Sequence, residues 1–151
     1  MIVTGGPVTV VGPAAAMLAL TANQISPHIG DNYLLGVQDT AHDIEQLTPK
    51  QITSLAANQA PSLTATDTGL AISETEAVDM EAAGVSVTAP AGATAVLSGA
   101  AGALVSLTDG EISALPDIGV SGVVSTSGSV TLKAAQAKAM LAAHASDLSF
   151  A

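Results

Sequence analysis

The chain has no cysteine, no arginine and almost no aromatic side chains. Without cysteine it can form neither a disulfide nor a thiolate metal site, and it has no thiol nucleophile. Three basic residues face 13 acidic ones, and the net charge of −10 argues against binding to nucleic-acid phosphates or to anionic membranes. No apolar run reaches the ~20 residues that a membrane-spanning helix needs. The sequence therefore predicts no nucleic-acid partner and no membrane insertion.

Apolar residues nevertheless make up 48% of the 151 residues, with Tyr33 and Phe150 as the only aromatic side chains. A chain of this length can form one domain with a sizeable core. Alanine supplies much of the apolar fraction, so we expect a core of small side chains that pack closely at many repeated contacts.

A helix start signal recurs along the chain. In its clearest copy Thr48 suits the N-cap, Gln51 can reach back to the backbone of the cap, and Pro49 suits the first helical position. Related segments begin at Leu20, Ile72, Leu107 and Leu132. Positions 0, 5 and 8 of the copies are mostly apolar and fall on one side of a helix. At position 12 most copies have a residue suited to ending a helix, such as Gly84 or Gly119.

Short apolar or β-branched runs follow the helices and are typical of strands. They predict strands over 33–37, 63–66, 85–88, 120–124 and 148–150, with further strand-like runs over 8–11, 94–97 and 129–132. Regular alternation of strand and helix predicts parallel strands joined by crossovers.

A longer, 60-residue period overlies the shorter one, because 38–47 aligns without gaps to 98–107 and also to 11–20. Repeats of this size stack to bury their apolar faces. We interpret the chain as a partial first repeat (1–37), a complete repeat (38–97) and a second repeat that is incomplete at its C-terminus (98–151). The predicted fold is a solenoid-like α/β array with one short parallel strand and one short capped helix per step of about 25 residues. A β-rich solenoid is the alternative.

Four segments of the 60-residue unit carry a family resemblance: Gln38–Ala41, Leu47–Ile52, the Ala65–Asp67 turn and Glu76–Val85. The unit resembles the tandem repeats of large bacterial adhesin-like, RTX-associated surface proteins that are exported by type I secretion. The resemblance covers 38–151 well and 11–37 loosely. It implies an extracellular or cell-surface location, a structural or adhesive role and neighbouring repeats as partners, and it brings no catalytic residues.

Two acidic groups could attract a cation. The candidate metal ligands are Asp39, Asp43, Glu45 and Asp67. Extracellular modules bind Ca²⁺ with dissociation constants of about 10⁻⁴–10⁻³ M, but the chain has neither an EF-hand pattern nor the glycine-rich calcium nonapeptide. The other acidic group lies over 74–81, where Glu76 is already assigned to a capping box and acidic residues favour the start of a helix. Calcium is thus the one cofactor that the sequence leaves open.

No residues indicate catalysis. His28, His42 and His144 each fall at a repeat position with a structural explanation, and the segment 119–122 lacks the second glycine of a nucleophile elbow. The sequence therefore predicts a structural or adhesive segment that self-associates end to end, and not an enzyme. A calcium- or partner-binding extracellular module is the alternative.

Overall fold

The protein is described by a computed structural model that covers residues 8–20, 33–58 and 60–143. Within these residues the chain is mixed α/β, with seven strands and seven helices. The strands are β1 (Val8–Gly12), β2 (Tyr33–Asp39), β3 (Ser62–Ala65), β4 (Leu70–Ile72), β5 (Ser86–Thr88), β6 (Ala95–Gly99) and β7 (Gly122–Ser125). The helices are α1 (Ala14–Ala19), α2 (Ala41–Glu45), α3 (Pro49–Ala57), α4 (Glu74–Ala83), α5 (Ala101–Ser106), α6 (Asp109–Ala114) and α7 (Ala134–Ala143). None of these helices is long and apolar enough to cross a membrane.

The strands form two sheets, and every pair in them is parallel. One sheet has the order β1-β2-β3-β5 and the other β4-β6-β7. This confirms the predicted α/β class with parallel strands. The expectation of one strand and one helix per step is wrong in detail, because β4 was not predicted and the short helices α2 and α5 precede the capped ones. Residues 129–132 do not form a strand, and 148–150 lie outside the described residues.

The predicted helix starts are present wherever the structure describes them. The Thr48 N–H donates to Gln51 Oε1 at 2.9 Å, while the Gln51 N–H donates to Thr48 Oγ1 at 3.4 Å. The same reciprocal capping box opens α4 with Ser73 and Glu76, and α6 with Thr108 and Glu111. The first copy lies outside the described residues. In the last copy only half of the box forms, since the Lys133 N–H donates to Gln136 Oε1 at 2.9 Å.

Two predicted helix ends fall on glycines in the left-handed region. Gly84 has φ 67° and directly follows α4, as expected. Gly119 has φ 85°, but α6 already ends at Ala114 and a turn containing Pro116 fills the interval. Proline cannot continue a hydrogen-bonded helix, which explains the early end. The corresponding positions Asn32, Gln59 and His144 lie outside the described residues.

The core is one contiguous cluster of small and branched apolar side chains. The predicted helical stripe is buried in the middle copies, at Leu47, Ile52 and Leu55, at Ile72, Ala77 and Met80, and at Leu107, Ile112 and Leu115. In the last copy Met140 is buried, whereas Leu132 and Ala137 are half-buried. A buried large aliphatic side chain contributes roughly 1.5–3 kcal/mol and a helix cap about 1 kcal/mol, so packing holds the fold and capping sets where helices begin.

Several elements recur with matching bounds at the 60-residue period of the sequence. Residues 62–65 form β3 and 122–125 form β7; residues 74–83 form α4 and 134–143 form α7. Strand registers follow the same spacing, since Val37 pairs with Leu63 and Leu97 pairs with Val123. The backbone bonds after α3 and α6 also correspond, with the Ala60 N–H donating to the Leu55 carbonyl and the Val120 N–H to the Leu115 carbonyl, each at 2.9 Å.

Candidate functional site

The predicted metal ligands lie where strands lead into helices. Asp39 ends β2 and is half-buried, and its two oxygens accept different backbone donors. Oδ2 accepts the N–H of Ala14, the first residue of α1, at 2.9 Å, and Oδ1 accepts the N–H of Thr40 at 3.0 Å. Asp39 therefore caps a helix from an earlier turn of the chain.

Asp67 repeats this arrangement one turn of the chain later. It follows β3, and its Oδ1 accepts the N–H of Ala41, the first residue of α2, at 2.8 Å. The hydrogen bond from Ala41, outweighing desolvation, lowers the pKa of Asp67 from its ordinary value. Sixty residues after Asp67, Ser127 Oγ accepts the N–H of Ala101, the first residue of α5, at 3.1 Å. Three helices are thus capped by a side chain that lies 25 or 26 positions later in the chain.

The other two candidates are engaged as well. Asp43 Oδ2 accepts the Thr40 hydroxyl at 2.5 Å, and the Asp43 N–H donates to Thr40 Oγ1 at 3.2 Å. Glu45 Oε1 accepts the N–H of Ala71 in β4 at 2.7 Å. Glu45 therefore links α2 to a strand in the next turn of the chain.

The structure brings Asp39, Asp43 and Asp67 to the start of α2, while Glu45 bonds to β4. Each carboxylate already accepts a hydrogen bond there, and a cation would compete with those donors. Among the described residues no group of three or more histidine, aspartate or glutamate side chains could hold a metal ion. The calcium hypothesis gains no support from this arrangement.

The candidate catalytic residues do not converge either. His42 is exposed on α2, and His28 and His144 lie outside the described residues. Ser121 donates its hydroxyl to the carbonyl of Ala95 at 3.4 Å, in the turn that leads into β7. This serine therefore has a structural contact, and no histidine or acid among its described hydrogen-bond partners.

Sequence reasoning missed three buried polar groups. Glu76 Oε1 and Asp79 Oδ2, both on α4, are buried without a hydrogen-bond partner in the described part of the chain. Gln136 on α7 is 1% exposed, and its Nε2 donates to the carbonyls of Val105 at 2.9 Å and Leu107 at 2.6 Å. The capping pattern accounted for one oxygen of each box residue. It carried no signal for the second polar atom of Glu76 or Gln136, and none for Asp79, which is not part of a box.

An apolar cavity of about 290 Å³ lies at the end of the molecule that carries α7. Its walls come from α5, α6, β7, α7 and the loop between β7 and α7, and include Leu104, Ile112, Val123 and Met140. Among the described residues, no ionisable side chain lines it. No protein-family model, curated protein or solved structure shows a significant match to this chain.

Proposed function

We propose that the chain is a solenoid-like repeat segment with a structural or adhesive role in a secreted or cell-surface bacterial protein. The observation that supports this most is the recurrence of element bounds, strand registers and helix caps at a single 60-residue period. Units of this size bury their apolar faces only by stacking on one another, so stacking is their source of stability. We propose that the stacked array is also their function.

Contacts between successive turns of the chain support the same proposal. The caps of α1, α2 and α5 all come from a residue 25 or 26 positions later. Paired strands within each sheet have similar offsets, as in the pairing of Leu63 with Val87 and of Leu70 with Ala95. Each turn is therefore held by its neighbours in the chain, which is the pattern of contacts in a solenoid.

The use of polar side chains favours a structural role over chemistry. The carboxylates that could have formed a site bind backbone donors instead. A chain without cysteine folds independently of the redox state, and a net charge of −10 opposes non-specific aggregation. Both properties suit an extracellular segment whose partners are neighbouring repeats.

Duplication of residues 38–97 tests the repeat proposal. A second copy inserted directly after Leu97 places Gln38 where Ser98 stands, so every element should keep its register. We expect a folded protein with proportionally more helix by circular dichroism, a longer scattering profile and a melting temperature at least equal to that of the parent chain, because each unit adds one stacked interface.

A permuted insert is the matched control. Residues 68–97 followed by 38–67 have the same length and composition as the duplicate, but they are out of phase at both junctions. This insert should add little helix and should lower cooperativity. Equal behaviour of the two inserts would contradict the repeat proposal.

Location needs a separate measurement. Antibodies against the chain should label intact bacteria or the culture medium, and they should do so without permeabilisation. Recovery of the protein in the cytosol alone would overturn the surface role.

A further inference from the structure

The two large apolar side chains that are exposed among the described residues lie on the first and the last described elements of the chain, β1 and α7, which we call the first and the second end. Val11 is 49% exposed on β1, the outermost strand of the four-stranded sheet. Leu141 is 72% exposed on α7, the last described helix. Exposed apolar surface contributes nothing to the free energy of folding, whereas covering these two side chains would remove apolar surface from water.

The first end has a close counterpart inside the molecule. Residues 8–12 form β1 and 14–19 form α1; later in the chain, with the same spacing between them, residues 95–99 form β6 and 101–106 form α5. A Cβ on Gly12 would lie 3.5 Å from Met17 Sδ, and one on Gly99 would lie 3.4 Å from Leu104 Cδ2. The strand, the helix and the packing between them are therefore equivalent in the two places.

The counterparts differ in their neighbours. β6 pairs with β7 on one side and with β4 on the other, where Leu70, Ala71 and Ile72 lie opposite Ala95, Val96 and Leu97. β1 pairs with β2 on one side, and no described strand pairs with its other side. The open edge of β1 thus corresponds to the edge of β6 that β4 covers. An open edge leaves a row of backbone donors and acceptors available for pairing.

The second end offers the counterpart of β4. Residues 130–132 are the repeat equivalents of Leu70–Ile72, and they have no strand partner among the described residues. Leu70 and Ile72 are buried, whereas Val130 and Leu132 are half-buried and border the 290 Å³ cavity. Without a strand such as β6 beside it, this segment stays out of the sheet and leaves the cavity beneath it.

Charge does not oppose contact between these ends. Apart from Asp147, every acidic side chain lies within residues 31–117, so the chain before and after this range is otherwise free of carboxylates. Lys133 and Lys138 lie at the second end. Copies that meet end to end therefore avoid the like-charge repulsion that their net charge would cause between their middle portions.

We propose that copies of this chain stack head to tail, with β1 of one copy pairing in parallel with residues 130–132 of another. The register follows the β4–β6 pair, so that Thr9 of one copy lies opposite Thr131 of the next. The two surfaces are different, so the contact is heterologous and propagates instead of closing as a dimer. This inference rests on the proposed repeat function and names the surfaces through which repeats of separate chains would join.

Engineered cysteines test the register, since the chain has none of its own. Thr9 and Thr131 are both exposed, and Cα atoms of paired parallel residues lie within disulfide range. The variant carrying Thr9→Cys and Thr131→Cys should give a ladder of dimers, trimers and larger bands after mild oxidation at physiological salt. Each single variant should give dimers at most, and reducing agent should collapse every band to monomer.

A shifted pair supplies the control. Val11→Cys combined with Thr131→Cys moves one sulfur two positions along the strand, roughly 6–7 Å, which takes the pair out of disulfide range. Equal ladders from the two variants would overturn the proposed register. A monomeric, internally cross-linked product, or no cross-link from a chain that light scattering finds monomeric at every concentration, would overturn the stacking and indicate that the chain covers its own ends. The duplication experiment measures folding within one chain, whereas the cross-linking experiment measures contact between chains. The first can therefore succeed even if the second fails.

Discussion

The helices α4 and α7 lie 60 residues apart in the chain and have the same length, yet they use different polar contacts. α4 opens with a full capping box, in which Ser73 and Glu76 satisfy each other's backbone donors. α7 keeps only the bond from the Lys133 N–H to Gln136 Oε1, because lysine has no oxygen for the reciprocal bond. Its box residue compensates by bonding to the carbonyls of Val105 and Leu107.

This comparison separates the two roles of the box residue. Glu76 serves its own helix with one oxygen, while the other is buried without a partner among the described residues. Gln136 serves both its own helix and the preceding helical segment, since an amide can accept and donate at once. Capping therefore defines where a helix begins, whereas a donor at the second polar atom of the box side chain connects the helix to a neighbouring segment by hydrogen bonds.

The segments that precede α4 and α7 also differ. Leu70–Ile72 form β4, pair with β6 and receive a further contact from Glu45. Residues 130–132 have no described strand beside them, and Val105 stands where a second Glu45 would be. Two short segments of similar β-forming character thus differ in structure, and only the one whose neighbours supply hydrogen-bond partners forms a strand.

The largest expected effect comes from Gly119, where the second 60-residue stretch touches the first. A Cβ there would lie 2.0 Å from the carbonyl oxygen of Val87, and φ is 85°. At Gly84 the backbone is also left-handed, but a Cβ would meet nothing within 4 Å. We expect Gly84→Ala to cost about 1–2 kcal/mol, the penalty of left-handed backbone alone. Gly119→Ala should cost clearly more, because backbone must move as well.

Urea unfolding of the two variants measures this difference directly. The β5 pairing through the Val87 N–H to the Ile118 carbonyl, at 2.8 Å, should be the contact that weakens. Faster amide exchange at Val87 in Gly119→Ala, but not in Gly84→Ala, would locate the damage. Equal losses of stability would show that the close approach at Gly119 is unimportant.

A smaller effect of opposite sign is expected at Glu76. Glu76→Gln can keep the bond to the Ser73 N–H, and it replaces the unpartnered oxygen by an amide nitrogen, the group that Gln136 uses for its carbonyl contacts. A buried polar atom without a partner costs about 1–3 kcal/mol, while loss of a favourable charge near a helix start costs about 0.3–1 kcal/mol. We therefore expect a net gain of roughly 1 kcal/mol.

The reverse substitution is the matched control. Gln136→Glu should lose stability, because it places an acceptor against the carbonyls of Val105 and Leu107. Thermal and urea unfolding at pH 7 should show the two variants changing in opposite directions. A destabilised Glu76→Gln would mean that the carboxylate finds a partner that the described contacts do not include.

Helix starts and core positions could be predicted from the sequence because their causes are local. Thr48 and Gln51 lie within one helical turn of each other, and the apolar stripe follows from the helical period. The end of α6 could not be placed, since Pro116 interrupts the helix before the glycine that the spacing selected. The spacing of apolar residues predicted the helices. It did not predict β4, because this segment becomes a strand only through tertiary contacts.

The polar contacts were less predictable for the same reason. Asp39 and Asp67 were recognised as candidate cation ligands, but nothing in the sequence says that each caps a helix 25 or 26 positions earlier. That requires the tertiary structure to be known first. The burial of the unpartnered Glu76 oxygen depends on tertiary packing, which composition and spacing do not specify.

The smallest expected effect tests whether the caps on α2 and α5 differ only in charge. The folded-state pKa of Asp67 lies below its ordinary value, because the carboxylate accepts the Ala41 N–H. Stability from this pair is therefore present above about pH 4, the ordinary range of aspartate, and is lost as the pH falls through the lowered pKa. Asp67→Ser, which copies Ser127, should be slightly less stable than the parent chain at pH 7, and this difference should shrink as the pH falls from 4 towards 2.

Ser127→Asp is the mirror variant, and it should gain at pH 7 a small stability that acid removes. Glu111, whose pKa the Thr108 N–H also lowers, is common to all three chains and cancels from the differences. Melting temperatures from pH 7 to pH 2 measure both variants against the parent. If the difference between Asp67→Ser and the parent chain did not change with pH, the contribution of Asp67 would be its shape and not its charge, and α2 and α5 would be capped in the same way.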